Sequence, residues 1–185
     1  MERVAHAVIG ANFGDEGKGL ATDALAADLA LQGLDPVVVR SNGGAQAGHT
    51  VETQGRRHVF HHVGAGAFTG ARTHLSRFFV AHPVLLLREL GELRPLLPAT
   101  PEISIDPAAQ VTTPWDVFLN QAAEAARGAA RHGSCGVGFG ETLERVGRGH
   151  PLTVADLAAP DLADRLVAIR DGWVPARLEA LRVAD

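Results

Sequence analysis

Apolar runs, glycine-rich loops and helical spacings alternate along the first third of the chain. Val4 to Ile9 is mostly apolar and ends at Gly10, which predicts a buried strand. Leu20, Ala21, Ala24, Leu25, Ala27 and Leu31 follow helical spacing from Lys18 onward, and Gly33 supplies a left-handed stop. Pro36 then introduces Val37-Val38-Val39, a β-branched strand. Strand, loop, helix and strand make a βαβ unit, whose crossover implies parallel strands. Residues 50–53 and 57–62 flank Gln54-Gly55-Arg56 as a hairpin. Leu75 to Val80 predicts a further strand, Pro83 opens an amphipathic helix through Leu93, and Ile103 to Ile105 is a short strand. Thr113 as N-cap with Pro114 at the first helical position begins a helix running to about Arg131. Thr153 with Asp156 forms an acidic variant of a capping box, and residues 161–183 read as two short helices around Pro175. The expected architecture is one α/β domain over residues 1–185: a mostly parallel sheet flanked by helices, with a hairpin insertion.

Bulk properties narrow the function classes. A chain of 185 residues suits one domain that buries roughly 70% of its unfolded surface. The net charge of −4 and a pI near 6.1 argue against binding nucleic acid by phosphate neutralisation. Cys135 is the lone cysteine, so no internal disulfide forms and nothing indicates an oxidising compartment. Asp15, Glu16 and Lys18 fall where a signal peptide would need an apolar core, and no apolar run reaches membrane-spanning length. A soluble, cytoplasmic protein is expected, with neither a membrane nor nucleic acid as partner.

The candidate chemistry lies in the loops. Lys18 is the only lysine among 17 basic residues and sits within Gly14-Asp15-Glu16-Gly17-Lys18-Gly19. An ammonium is compact enough to enter a glycine-lined pocket where a planar guanidinium would not fit. The segment is P-loop-like without being a Walker A motif: Asn12 stands where that motif needs glycine, and Gly19 where it needs Ser or Thr. Glycines still let backbone N–H groups converge on phosphate at the positive end of the following helix. Asp15 and Glu16 would repel a triphosphate unless they hold Mg²⁺ or act as a base, or else simply occupy the first helical turn. The second loop, Ser41 to Thr50, starts at a predicted strand end and carries Gln46, Ala47, Gly48 and His49. Ligands of open α/β sheets bind at such ends, so both loops should face one crevice. Beside phosphate, the His49 imidazole would protonate and provide charge and a general acid. His58, His61 and His62 lack the spacing of a zinc site and read as structural. In the third glycine cluster, Gly133 to Gly140, Cys135 has no triad signature. Arg145 and Arg148 just after it are either phosphate ligands or solvated helix charges.

Gly14-Asp15-Glu16-Gly17-Lys18-Gly19, followed by Gly43-Gly44-Ala45-Gln46-Ala47-Gly48-His49-Thr50, strongly resembles the adenylosuccinate synthetase family, whose pattern is close to GDEGKG with a later GG-x-NAGHT. The similarity continues more weakly through Gly133-Ser134-Cys135-Gly136 to Leu157, so it covers most of this chain but only the amino-terminal part of a family member. The resemblance implies a ligase of purine nucleotide synthesis that joins L-aspartate to IMP using GTP and Mg²⁺ by way of a 6-phosphoryl intermediate. ATP as the donor stays open. It implies Asp15 as catalytic base and metal ligand, His49 as acid and phosphoryl stabiliser, and the Gly48 carbonyl as a second metal ligand. Gly14, Asp15, Glu16, Gly17, Lys18 and Gly19 would hold phosphates together with Gln46, Ala47, Gly48, His49 and Thr50. Ser134 or Cys135 stands where the family has a threonine pair on the nucleoside monophosphate, with Arg148 or Arg145 as phosphate arginine. Asp15 favours a 6-oxopurine acceptor, since phage relatives acting on dGMP generally lack that carboxylate. Phe13, Gln46 and Cys135 depart from the usual bacterial pattern. With a single lysine, the chain has no counterpart of the family's late guanine-reading segment, nor of its late arginine-rich aspartate loop. A catalytically incomplete nucleotide-binding or regulatory module is therefore the alternative. Family members are usually dimers, and Val84 to Leu87 with Leu90 offers apolar helix surface for a homodimer; a complementing chain is the other expected partner.

Overall fold

A computed structural model describes residues 4–12 and 14–181; Phe13 and Val183, both touched by the sequence reading, lie outside them. Parallel pairing dominates, as expected. Strands β1 (Val37–Arg40), β5 (Arg72–Leu75) and β7 (Ile103–Ile105) form one sheet in the order β1-β5-β7. A second sheet runs β2 (Gly43–Gly44), β6 (Phe79–Ala81), β8 (Gln110–Val111), also parallel throughout. The hairpin is β3 (His49–Thr53) with β4 (Arg56–Phe60), paired from His49↔Phe60 to Thr53↔Arg56. Gln54 and Gly55 both have positive φ (49° and 74°), as a two-residue turn matching strand twist requires.

Three elements differ from expectation. Residues 4–10 form no strand; Val4 is 67% and Ile9 86% exposed, and β1 pairs only with β5. The apolar run is present, but none of the described strands lies beside it. Leu75 to Val80 is not one strand but the junction of β5 and β6. Ser76 makes the break: its hydroxyl donates to the Ser41 carbonyl at 2.7 Å, and its own carbonyl accepts from Phe79 N. The tail is one helix, α5 (Leu162–Leu181), with Pro175 inside it. Ile169 and Trp173 on one side of that proline and Leu178 on the other pack against Val111, Leu119 and Leu152. This shared burial outweighs the ~3 kcal/mol a proline removes from a helix interior.

The remaining helices follow their caps. Helix α1 (Lys18–Leu31) stops at Gly33, where Leu34 N donates to the Leu29 carbonyl across a left-handed glycine. Its buried face is Gly19, Asp23 and Ala26, while Leu20 and Leu31 are exposed. Helix α2 (Pro83–Leu93) is capped by the His82 ring, which accepts from Leu85 N. Helix α3 (Pro114–Arg127) carries a full capping box of Thr113 and Asp116 and ends at Gly128. Helix α4 (Phe139–Gly147) follows the third glycine cluster. Thr153 and Asp156 also pair as a box, but they head only the 3-10 turn Ala155–Ala158.

Two buried clusters hold the structure. Val51, Phe60, Val63, Phe68 and Leu93 join the hairpin to α2, and the α3–α5 cluster closes the other end. Among the described residues no helix is long and apolar enough to cross a membrane.

Candidate functional site

The first two glycine loops meet, although only the second of them leaves a strand end. Asp15, Glu16, Gly17, Lys18 and Gly19 line one cavity of about 210 Å³ with Gly48, His49 and Thr50. Their contact is backbone to backbone. A Cβ on Gly19 would lie 2.9 Å from the His49 Cβ and 3.0 Å from its carbonyl carbon, so only glycine lets α1 begin against β3. The same closeness explains why a Walker Ser or Thr has no room here. Asp15 holds φ at 56°, a left-handed conformation that aspartate tolerates better than most residues. Its carboxylate is exposed at the cavity rim.

Lys18 is not free. Its ammonium pairs with the Glu16 carboxylate, which also accepts from Asn12 N at 3.0 Å. The hydrogen bond from Lys18 holds the Glu16 carboxyl down at about 2. Glu16 precedes the helix, whose cap is Gly17, so the first-turn reading of this acid does not hold. It acts as an internal counterion to Lys18.

His49 begins β3, and its Nδ1 lies 2.7 Å from Nη1 of Arg40. Burial, then the charges of Arg40, Lys18 and His61, lower its pKa to about 4. Burial and two neighbouring fixed cations thus oppose protonation of this ring, whereas the sequence expectation concerned the ring beside phosphate. Arg40, last residue of β1, is 5% exposed and also reaches the Ala47 carbonyl at 3.4 Å. Sequence reasoning passed over it. The available signal was a lone charge ending a Val-Val-Val run just before the second loop.

The other predicted residues do not line this cavity. Gln46 and Ala47 sit behind it, in the turn closed by Ala47 N on the Gly44 carbonyl, and the buried Gln46 Oε1 has no hydrogen-bond partner. Ser134 and Cys135 are exposed on the third loop. There the N–H groups of His132, Gly133 and Ser134 converge on the Glu124 carboxylate at 3.4, 2.8 and 3.3 Å. An anion of the protein's own thus occupies the loop amides beside Ser134 and Cys135. Arg145 is fully buried, with donors on Asp116 and the Val111 carbonyl, which removes it as a phosphate ligand. Arg148 is exposed and bound to Glu144 at 3.2 Å. His58 and His62 are structural, as expected: both ring edges face Glu89 in the protein interior.

The donors at the cavity fit a hard divalent cation of the Mg²⁺ type. The Asp15 carboxylate and Gly48 carbonyl are hard oxygen donors, and Mg²⁺ takes one or two carboxylates plus substrate phosphates in preference to a protein cage. A larger cavity of about 720 Å³ lies at the opposite, amino-terminal ends of β1, β5 and β7, away from both loops.

Comparison with known proteins agrees with this geometry. Residues 7–172 match the family model described as adenylosuccinate synthetase. The adenylosuccinate synthetase of Crocosphaera subtropica is 37% identical over 155 residues, 83% of this chain but 33% of that protein. The chain thus spans about a third of the length of the curated relatives it matches. The fold of fully ligated adenylosuccinate synthetase from Plasmodium falciparum superimposes with a TM-score of 0.72 at 18% identity, over 95% of this chain and 40% of that one. Cyanophage S-2L succinoaminodeoxyadenylate synthetase, bound to dGMP and dATP, gives 0.53 at 24% identity, over 89% and 41% of the two chains. With two glycine loops converging on one cavity and a family match over nearly its whole length, the chain belongs to the adenylosuccinate synthetase family.

Proposed function

We propose that this chain carries the phosphoryl-transfer site of a purine-nucleotide ligase, which joins L-aspartate to IMP or a related 6-oxopurine monophosphate at the expense of GTP or ATP. The observation that carries the reading is the convergence of Asp15, Lys18, Gly48 and His49 on one cavity. Asp15 accepts the proton from purine N1, which leaves O6 electron-rich. O6 attacks the γ-phosphorus as the β–γ bridging bond breaks, giving the nucleoside diphosphate and a 6-phosphoryl purine. The aspartate amine then adds at C6, expels phosphate and loses a proton. Lys18 and the Gly14–Gly19 backbone hold the polyphosphate, and His49 stabilises the transferring group. Mg²⁺, held by Asp15 and Gly48, would neutralise phosphate charge.

A second reading is favoured by one observation. The apolar run Val4–Ile9 lies unpaired. A nucleotide-binding module that works with a complementing polypeptide fits that fact.

Positional oxygen-isotope exchange at the β,γ bridge of the triphosphate, with IMP and Mg²⁺ present, tests the first reading. Exchange is expected in the unaltered chain and lost in Asp15→Asn, by about 10²-fold or more. Exchange unchanged in Asp15→Asn would sink the assigned role. Calorimetric triphosphate binding with no exchange or turnover would favour the module.

A further inference from the structure

We propose that Arg40 is a positioning residue that holds His49 Nδ1 as an acceptor, so that the ring proton sits on Nε2 and the imidazole meets a transferring phosphoryl group as a hydrogen-bond donor. A guanidinium has five N–H donors and no acceptor. At 2.7 Å from Nη1 of Arg40, the His49 Nδ1 can only accept. Its lone pair is thereby engaged, and the single ring proton of a neutral imidazole must sit on Nε2. An Nδ1–H would set an N–H against the N–H of the guanidinium. Among the described residues Nε2 has no protein partner, and His49 lines the cavity shared with Asp15 and Lys18.

Arg40 is built to hold this pose. It ends β1, where the backbone is locked by parallel pairing to Leu75, and its carbonyl accepts from Ser76 N. Its guanidinium lies over the Phe79 ring at 5.5 Å and reaches the Ala47 carbonyl, so the group that orients His49 also ties down the turn before it. Lysine could supply one donor but not this fork. Arg40 touches no substrate; it acts through the ring.

The phosphoryl part of this inference rests on the proposed function, whereas the tautomer does not. On the 185-residue chain with labelled histidine, long-range nitrogen–proton correlation spectra near neutral pH report each ring's tautomer. His49 is expected to be Nε2–H in the unaltered protein and in Arg40→Lys, and to gain an Nδ1–H population in Arg40→Met. An Nδ1–H or doubly protonated His49 in the unaltered protein overturns the inference, even if Arg40→Met fails to fold.

Affinity for inorganic triphosphate with Mg²⁺ gives the second readout. Arg40→Met should weaken it about tenfold, and the same change in a His49→Ala background should have no further effect. An equal loss in both backgrounds would mean that Arg40 acts on the fold alone and would also overturn the inference. If the unaltered chain does not bind triphosphate, the nucleotide reading and the phosphoryl role both fall, while the spectra still decide what Arg40 does to the ring.

Discussion

At the scale of single residues, the site is a set of charges that already satisfy one another. Lys18 is held by Glu16, the third-loop amides by Glu124, and the His49 lone pair by Arg40. Sequence reasoning found Lys18, Asp15 and His49 because glycines flank them. It missed Arg40, and it gave Glu16 no definite job, because internal counterions have no motif. On the proposed function a phosphate competes with the Glu16 carboxylate for Lys18, so removing that competitor should help. Glu16→Gln is expected to tighten triphosphate binding about fivefold. Weaker binding in that variant would show that Glu16 contacts the ligand shell directly.

At the scale of elements, one buried carboxylate organises the start of α2. Glu89 accepts from the N–H groups of His61, His62 and Val63 at 2.8, 2.7 and 3.3 Å, and from the His62 ring at 3.2 Å. His62 in turn accepts from His82 N through Nε2, so the ring is the Nδ1–H tautomer and fully used. Burial would raise the Glu89 carboxyl, but hydrogen bonds from the His62 ring and the backbone, with the His58 ring edge 3.7 Å away, outweigh it and bring it down to about 2. A folded value below the ordinary 4.5 means that the charged group adds stability above about pH 4.5, and that this share is lost as pH falls towards about 2. Glu89→Gln should cost about 2–4 kcal/mol at neutral pH in a denaturant titration, since an amide cannot accept from all these donors. It should also flatten the acid limb of the stability curve. A variant as stable as the parent, with the same acid limb, would rule out this role.

The hydrophobic pattern located most of the helices and the hairpin, because each has a local stop or cap: Gly33, Thr113 with Pro114, and Gln54-Gly55. Failures came where a distant contact overruled the local signal. Pro175 marks a break that the packing of Ile169, Trp173 and Leu178 removes. Likewise, Leu20 and Leu31 fit a helical stripe, yet α1 turns Asp23 and Ala26 inward, since its partner is a tight 3-10 turn that admits only small side chains. A Cβ on Gly66 of that turn would lie 2.6 Å from the Ala26 Cβ.

For the molecule as a whole, the parallel sheet β1-β5-β7 is covered on one side only. Val38 packs against Gly64 and Gly66, whereas Val37 and Val39 are 43% and 55% exposed. All-parallel sheets normally have both faces covered, and a bare apolar edge strand invites pairing with another chain. Val39→Lys should therefore reduce self-association in sedimentation at high concentration, with stability changed by no more than about 0.5 kcal/mol. A large loss of stability would mean that Val39 is already buried in solution; unchanged association would exonerate this face.

Local sequence by itself determined the chemistry on offer: two glycine loops, a lone lysine, a carboxylate and an imidazole, each placed after a strand or before a helix by short-range backbone preferences. Tertiary structure decided which of these groups meet and in what state. Convergence of the loops depends on glycine contacts between α1 and β3, and the form of His49 on a guanidinium nine residues away. Such pairings are set by packing across the fold, and no spacing along the chain encodes them.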